Sequence, residues 1–469
     1  MPSLKRALLP SPVLFALCWL NLAIDVKGLL EGVSNECQKA LYTFGKQHHA
    51  ESVQALNADH MLYFLHIPRT AGRTYGACFL KQAWAPSRRC AKSYDVLRLN
   101  SSVPDCGLLS SHDDYSVVQY LPREAAVATQ LRDPVDRVLS AYEFAIEVAA
   151  RALVKDAPDK DPSKVDTQNV WPWSLLVPFI RQDLMRRAGD MHLSEAAVSP
   201  LDPYQNSLVM PLAEFIEHPL AHELIHNGQT LQVLGLTNYS HWKEAGPVRR
   251  CLQGSQTTQK LLSSLALKQL HHFVHVGVMD MLDESIETIA GTLKLRLDGP
   301  AWRNAANTST QSEEAQQQAD EQAFVEQPSS QLNRQQTEPD SAFLQPGPLW
   351  ESYRHCALRA RRKNAARRTR SFDLLKLPDG RQVEFGSKAR AAIDPSILAR
   401  IRQLNQMDVD LYTAGKQLLL KQREALRSAG QLQHLPQLSQ NASKIHQRRH
   451  SPETQGSQGS QKSAAHEEL

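Results

Sequence analysis

The sequence predicts an α/β domain with a central parallel sheet, and three observations carry that prediction. A continuous apolar run from Met61 to Ile67 has strand length and no alternation, as a strand buried on both faces requires. A Gly-containing loop, 68–74, follows at once, and a helical pattern opens at Tyr75. The arrangement then recurs: Ala125 to Leu131 reads as a strand, ends in Arg132-Asp133-Pro134, and leads into a helix over Val135 to Ala150.

The bulk properties narrow the class. The 469 residues allow one large domain with appendages or two modest domains. A net charge of +4 is too small to argue for a nucleic-acid partner. Lys5 and Arg6 precede the apolar stretch Val13 to Ile24, which predicts a secretory signal within residues 1–25. No small-x-small cleavage site follows it, so an uncleaved membrane anchor is the alternative. Apart from Cys18, the cysteines form an even set at 37, 78, 90, 106, 251 and 356 with no CxxC pair. That usage predicts disulfides in an oxidising lumen, with connectivity left open. Sequons at Asn100, Asn238, Asn307 and Asn441 are compatible with the same compartment.

Along the chain, an amphipathic helix is expected within 30–60, and the folded body runs over 30–300. Composition then shifts to Gln, Ser, Glu and Thr, which predicts a low-complexity linker over 301–347. Residues 348–428 are read as a return to the same domain: a basic segment, Arg354 to Arg370, then a helical period from Pro395 to Ala425. The polar stretch 433–469 is expected to be a disordered tail.

The loop after the first strand has the chemistry of an anion cradle. Strand, tight Gly loop and helix start aim backbone N–H groups and the positive helix end at a phosphate-like group. Arg69, Thr70, Arg73 and Thr74 add side-chain donors around Ala71 and Gly72. The GxxxxGK[ST] spacing is absent, which argues against a metal-dependent nucleoside triphosphate enzyme. After the second strand, Arg132 and Ser140 stand where a guanidinium and a hydroxyl can hold a second phosphate. The competing reading makes Asp133 and Pro134 a simple helix start and pairs Arg132 with a surface carboxylate. His66 is read as a hydrogen-bonded core group. His271, His272 and His275 lack a carboxylate at metal spacing, so no metal is expected.

Taken together, His66 to Thr74 and Leu131 to Ser140 resemble the 5′-phosphosulfate loop and 3′-phosphate motif of Golgi sulfotransferases, in the form found in heparan sulfate 6-O-sulfotransferases. That family carries Lys where this chain has Arg69. The resemblance is closer still to the plant-type tyrosylprotein sulfotransferases. It runs through 66–80, 93–95, 111–116, 142–151, Trp171 to Trp173, 225–228, 235–238 with His241, and 408–412. One departure is that plant relatives typically end in a membrane anchor, whereas this C-terminus is polar throughout.

The resemblance implies a three-layer sandwich like that of P-loop kinases, in the Golgi lumen or membrane. It implies 3′-phosphoadenosine 5′-phosphosulfate as donor, held by residues 69–74, Arg132 and Ser140, with Arg69 also at the leaving group. His112, between the two motifs, falls on the family's general base, and Asp113 or Asp114 is expected to orient its ring. The expected acceptor is a tyrosine-containing acidic peptide or secreted protein. A carbohydrate 6-O acceptor and a catalytically silent nucleotide binder are the alternatives. The basic segment is read as substrate steering, as a sulfated-glycan contact, or as a solvated run without a role.

Overall fold

A computed structural model describes residues 33–47, 60–90, 106–121, 124–154, 167, 170–190, 202–252, 255–301, 347–372, 375 and 383–436. The N-terminal apolar segment, the sequons at Asn100, Asn307 and Asn441, the segment 93–95, the linker and all but the first residues of the tail lie outside them. Among the described residues, no helix is long and apolar enough to cross a membrane.

In chain order, α1 spans Asn35–Gln47, β1 Met61–Leu65, α2 Arg73–Leu80, β2 Leu108–Ser111, β3 Ala125–Leu131 and α3 Pro134–Val154. Then come α4 (Trp173–Asp190), α5 (Gly228–Leu234), α6 (Ala245–Leu252), α7 (Gln256–His271), β4 (His275–Val278) and α8 (Leu282–Thr292). Beyond the linker lie α9 (Leu349–Phe372), α10 (Pro395–Leu404) and α11 (Gln406–Ser428). The apolar run ends as a strand at Leu65, so His66 already belongs to the loop.

The four strands pair in parallel in the order β2-β1-β3-β4. Parallel pairs need covered faces, and helices lie on both sides. Met61, Tyr63 and Leu65 share an apolar core with residues of α5, α6, α7 and α11. On the opposite face, Phe64 packs against Tyr75 of α2 at 5.2 Å between ring centroids. A second core gathers α3, α4 and α10. The architecture is therefore a parallel sheet between helical layers, the α/β class expected.

Helix termini follow local chemistry. Asp133 accepts the Val135 and Asp136 N–H groups at 2.9 and 3.1 Å, with Pro134 as the first residue of α3. The helix-start reading of Asp133-Pro134 is thus correct. Helix α5 ends at Gly235, whose φ of 71° permits the Leu236 N–H to reach the Leu231 carbonyl at 2.7 Å. A Cβ at Gly235 would lie 2.7 Å from Trp242 and 2.8 Å from the Ser116 nitrogen, so Gly is required there.

All six cysteines outside the N-terminal segment are paired: Cys37–Cys251, Cys78–Cys356 and Cys90–Cys106. Cys78–Cys356 ties α2 to α9, so the basic helix beyond the linker is fastened to the helix that follows the first loop. The linker leaves and re-enters at one point. Ala301 N–H meets the Gly347 carbonyl at 3.3 Å, and Leu349 N–H meets the Gly299 carbonyl at 2.8 Å.

Candidate active site

The strand order places the site. Neighbours diverge on either side of β1, toward β2 and toward β3, and parallel sheets of this kind open a crevice beyond the carboxyl ends at such a divergence. Register brings the ends together: Leu65 lies opposite Ser111, the last residue of β2, and opposite Thr129, two residues before β3 ends. The residues that follow are His66 to Gly72, His112 and Arg132. The candidate groups therefore converge although they are spread over 70 positions and more.

The first loop is strained where it turns. Arg69 and Ala71 have φ of 71° and 65°, a left-handed conformation that costs roughly 1–2 kcal/mol for a residue with a Cβ. Successive left- and right-handed residues, here Ala71 and Gly72 (φ −57°), aim neighbouring N–H groups to one side and form an anion-binding concavity. Thr70 is buried and its hydroxyl donates to the Ile67 carbonyl at 2.8 Å. That hydrogen bond turns the hydroxyl proton into the loop rather than toward the crevice. Gly72 lies against the His66 ring, and a Cβ there would sit 1.9 Å from His66 Cδ2. Arg73 is exposed and Thr74 half-buried, both on the first turn of α2.

The two motifs touch. Arg69 Nε donates to Ser140 Oγ at 2.9 Å, and Arg132 Nη1 donates to the Arg69 carbonyl at 3.1 Å. The Arg69 guanidinium stacks 4.2 Å above the Phe144 ring. Burial, and then the repulsion of Arg132, bring Arg69 down to about 9, so it stays cationic at neutral pH. Two cationic side chains, one bonded to the Ser140 hydroxyl and the other to the Arg69 carbonyl, call for an anion beside them.

Sequence reasoning missed the group that holds Arg132. Gln229 of α5 accepts the Arg132 N–H at 2.9 Å and donates to its carbonyl at 2.9 Å. Gln229 is fully buried, and an isolated buried Gln beside Gly228 carries no motif that would have marked it. Asp408 of α11 in turn caps α5, accepting from the Gln229 and Thr230 N–H groups and the Thr230 hydroxyl at 3.2, 2.8 and 2.8 Å. It also pairs with Arg137 at 3.5 Å, both side chains buried. Arg137 lines a pocket with Arg69, Ala141, Trp171, Pro172 and Gly228, and its Nε has no protein partner.

His112 stands at the end of β2 with its orientation set by backbone. Nδ1 lies 2.9 Å from the Trp171 carbonyl. A carbonyl only accepts, so Nδ1 carries the proton and Nε2 keeps its lone pair. To the expectation that Asp113 or Asp114 orients the ring, the structure adds the Trp171 carbonyl as the partner of Nδ1. Asp113 binds Ser111 Oγ and lies 3.4 Å from His241 Nε2, while Asp114 holds Ser116 and Thr237. Burial lowers His112 to about 4, against the Trp171 contact and the Asp113 charge, which raise it. The imidazole is therefore neutral at neutral pH. Gln232 Nε2 donates to the His112 carbonyl at 2.9 Å, and Trp171 is itself held by Asn238 at 2.8 Å. His66 is a wall of the site, edge-on to His112 at 4.5 Å between ring centroids. Among the described residues, no group of His, Cys, Asp and Glu is arranged to hold a metal ion.

A protein-tyrosine sulfotransferase of Arabidopsis thaliana is 34% identical over 382 residues, covering 78% of this chain and 75% of that one. The chain belongs to the protein-tyrosine sulfotransferase family. The alignment is long enough to reach well beyond the two loops at 66–74 and 131–140. No family profile matches the sequence. Membership makes the chain an enzyme of the sulfotransferase class and accords with the parallel sheet flanked by helices.

Proposed function

We propose that this protein moves the sulfuryl group of 3′-phosphoadenosine 5′-phosphosulfate onto tyrosine hydroxyls of secreted peptides or proteins. The contact of Arg69 with Ser140 and Arg132 carries this reading, because it builds a cationic site from two loops at one sheet edge. The donor set fits two phosphates: backbone N–H groups of 70–74 with Arg69 and Arg73 for the 5′ side, Arg132 and Ser140 for the 3′ side.

The donor supplies an activated sulfuryl group; the chain supplies position, charge and a base. Arg69 neutralises negative charge as it gathers on the nucleotide phosphate, and its cation over Phe144 is shielded from water on that side. A phenol has a pKa of about 10 and must lose its proton as the new S–O bond forms. His112 Nε2 is the acceptor for that proton, and Nδ1–H on the Trp171 carbonyl stabilises the imidazolium produced. Trp171 and Pro172 line the pocket beside Arg69 and are read as the walls for the acceptor ring. The paired cysteines suit an oxidising secretory compartment, and the Golgi lumen or membrane is the proposed site of action.

The experiment offers two acceptors to one enzyme. The full chain, secreted from a eukaryotic host, is incubated with labelled donor, an Asp-flanked tyrosine peptide and desulfated heparan. Label on the peptide is the expected result; label on the glycan alone would move the acceptor to the carbohydrate class and leave the donor site standing.

A further inference from the structure

Helix α3 carries an acid close to the proposed anion site. Glu143 follows Ser140 by one turn and adjoins Phe144, the ring beneath Arg69; its side chain is 1% exposed. Its charge is felt at both Arg69 and Arg132. A desolvated carboxylate in that place would draw in either guanidinium and fill the charge that a phosphate needs. Burial alone would push the Glu143 carboxyl up, but hydrogen bonds and charge from Arg390 outweigh it, so the group is an anion below its ordinary range.

Two residues beyond the linker hold that anion. Arg390 grips both oxygens through Nε and Nη2, at 2.7 and 2.9 Å. Arg368 of α9 adds a contact at 3.0 Å, and the Tyr204 hydroxyl donates at 2.8 Å. One turn on, Glu147 is met in the same way by Arg151 at 3.1 Å and Arg367 at 3.4 Å. The basic run thus has an inner edge, Arg367 and Arg368, that faces α3, while Arg359, Arg361 and Arg362 are exposed.

We propose that Arg390 and Arg368 form a charge clamp on Glu143 that leaves Arg69 and Arg132 open to the phosphates of the donor. They are positioning residues, acting through Glu143. The segment after the linker thereby sets donor affinity, which gives its basic character a role distinct from substrate steering. This inference rests on the donor reading given above.

The test is a mutant cycle read by binding. Adenosine 3′,5′-bisphosphate is titrated calorimetrically into the full chain as wild type, Arg390→Gln, Glu143→Gln and the double variant, with the thermal midpoint of each recorded. Arg390→Gln is expected to weaken binding roughly tenfold, because it frees a carboxylate to pair with Arg132 or Arg69. Glu143→Gln alone keeps wild-type affinity or exceeds it. Adding Glu143→Gln to Arg390→Gln restores affinity to within about threefold of wild type. If Arg390→Gln does not fold, Arg368→Gln takes its place in the cycle, with the same rescue expected. A double variant as weak as the single overturns the clamp, since Arg390 would then act on the ligand or the fold directly. Absence of binding by the wild type would overturn the donor reading and the clamp together. Tight wild-type binding without rescue overturns the clamp alone.

Discussion

At the residue scale, the chemistry turns on which nitrogen of His112 carries a proton, and a main-chain oxygen decides it. The Trp171 carbonyl keeps Nδ1 protonated and Nε2 basic. With His112 held near 4 by burial, the base is already neutral across the near-neutral range. We therefore expect kcat/KM to be level from about pH 5 to neutrality and to fall as His112 gains a proton on acidification through about 4. A limb centred near 6.5 would show that the active imidazole is solvated instead. Gly72→Ala drives a methyl group into the His66 ring. Transfer should drop by on the order of 100-fold as the loop shifts, measured beside a circular-dichroism check of the fold. Arg69, His112, Arg132 and Ser140 could be singled out in the sequence because their loops have recognisable spacing. The orienting carbonyl could not, since a main-chain oxygen has no signature of its own. Gln229 escaped, and Asp408 was marked only as part of 408–412 without a role, for a related reason: what they do depends on a contact across some 180 residues.

At the scale of elements, α11 holds α5, and α5 holds Arg132. Asp408 caps α5 and neutralises Arg137, so Asp408→Ala leaves a buried guanidinium unpaired and a helix start open. A cost of about 3–5 kcal/mol is expected from breaking such a pair, read as a lower midpoint in urea unfolding. Asp408→Asn, which keeps the cap and loses the charge, should fall between. Strands β1 and β3 could be read directly from their unbroken apolar runs, because burial on both faces removes alternation. The π-helical winding of α2 could not, since Arg73–Leu80 has no sequence pattern that separates it from an ordinary helix. The helical period after Pro395 was visible, but its break at Asn405 was not. That break exists because the Asn405 and Asn227 side chains exchange hydrogen bonds with each other's backbone segments.

For the whole molecule, the linker is an excursion from a closed junction. Ala301 and Gly347 are already hydrogen-bonded neighbours, so replacing 303–345 with a short Gly-Ser turn should leave the thermal midpoint and donor binding unchanged. A marked loss of either would give the linker a structural duty. The pairing of the cysteines, which spacing could not reveal, ties α9 beyond the linker to α2. Acid sensitivity is also a property of the whole. His226 and His275 are buried and lowered to about 4, first by burial, while their unfolded value is near 6.5. The unfolded chain thus binds more protons between those values. Stability should be full above about 6.5 and decline as pH falls toward 4, by up to about 1.4 kcal/mol per unit for each. Urea midpoints at neutral pH and at pH ~5 measure it.

The central claim is that one cationic site and one histidine transfer a sulfuryl group to a phenol. The most direct test compares wild type with His112→Ala, following transfer of labelled sulfate to a tyrosine peptide and binding of adenosine 3′,5′-bisphosphate in the same preparations. We predict that transfer falls on the order of 100-fold or more while nucleotide affinity stays near that of wild type. Undiminished transfer by His112→Ala, with the nucleotide still bound, would contradict the assignment of the base and the mechanism built on it.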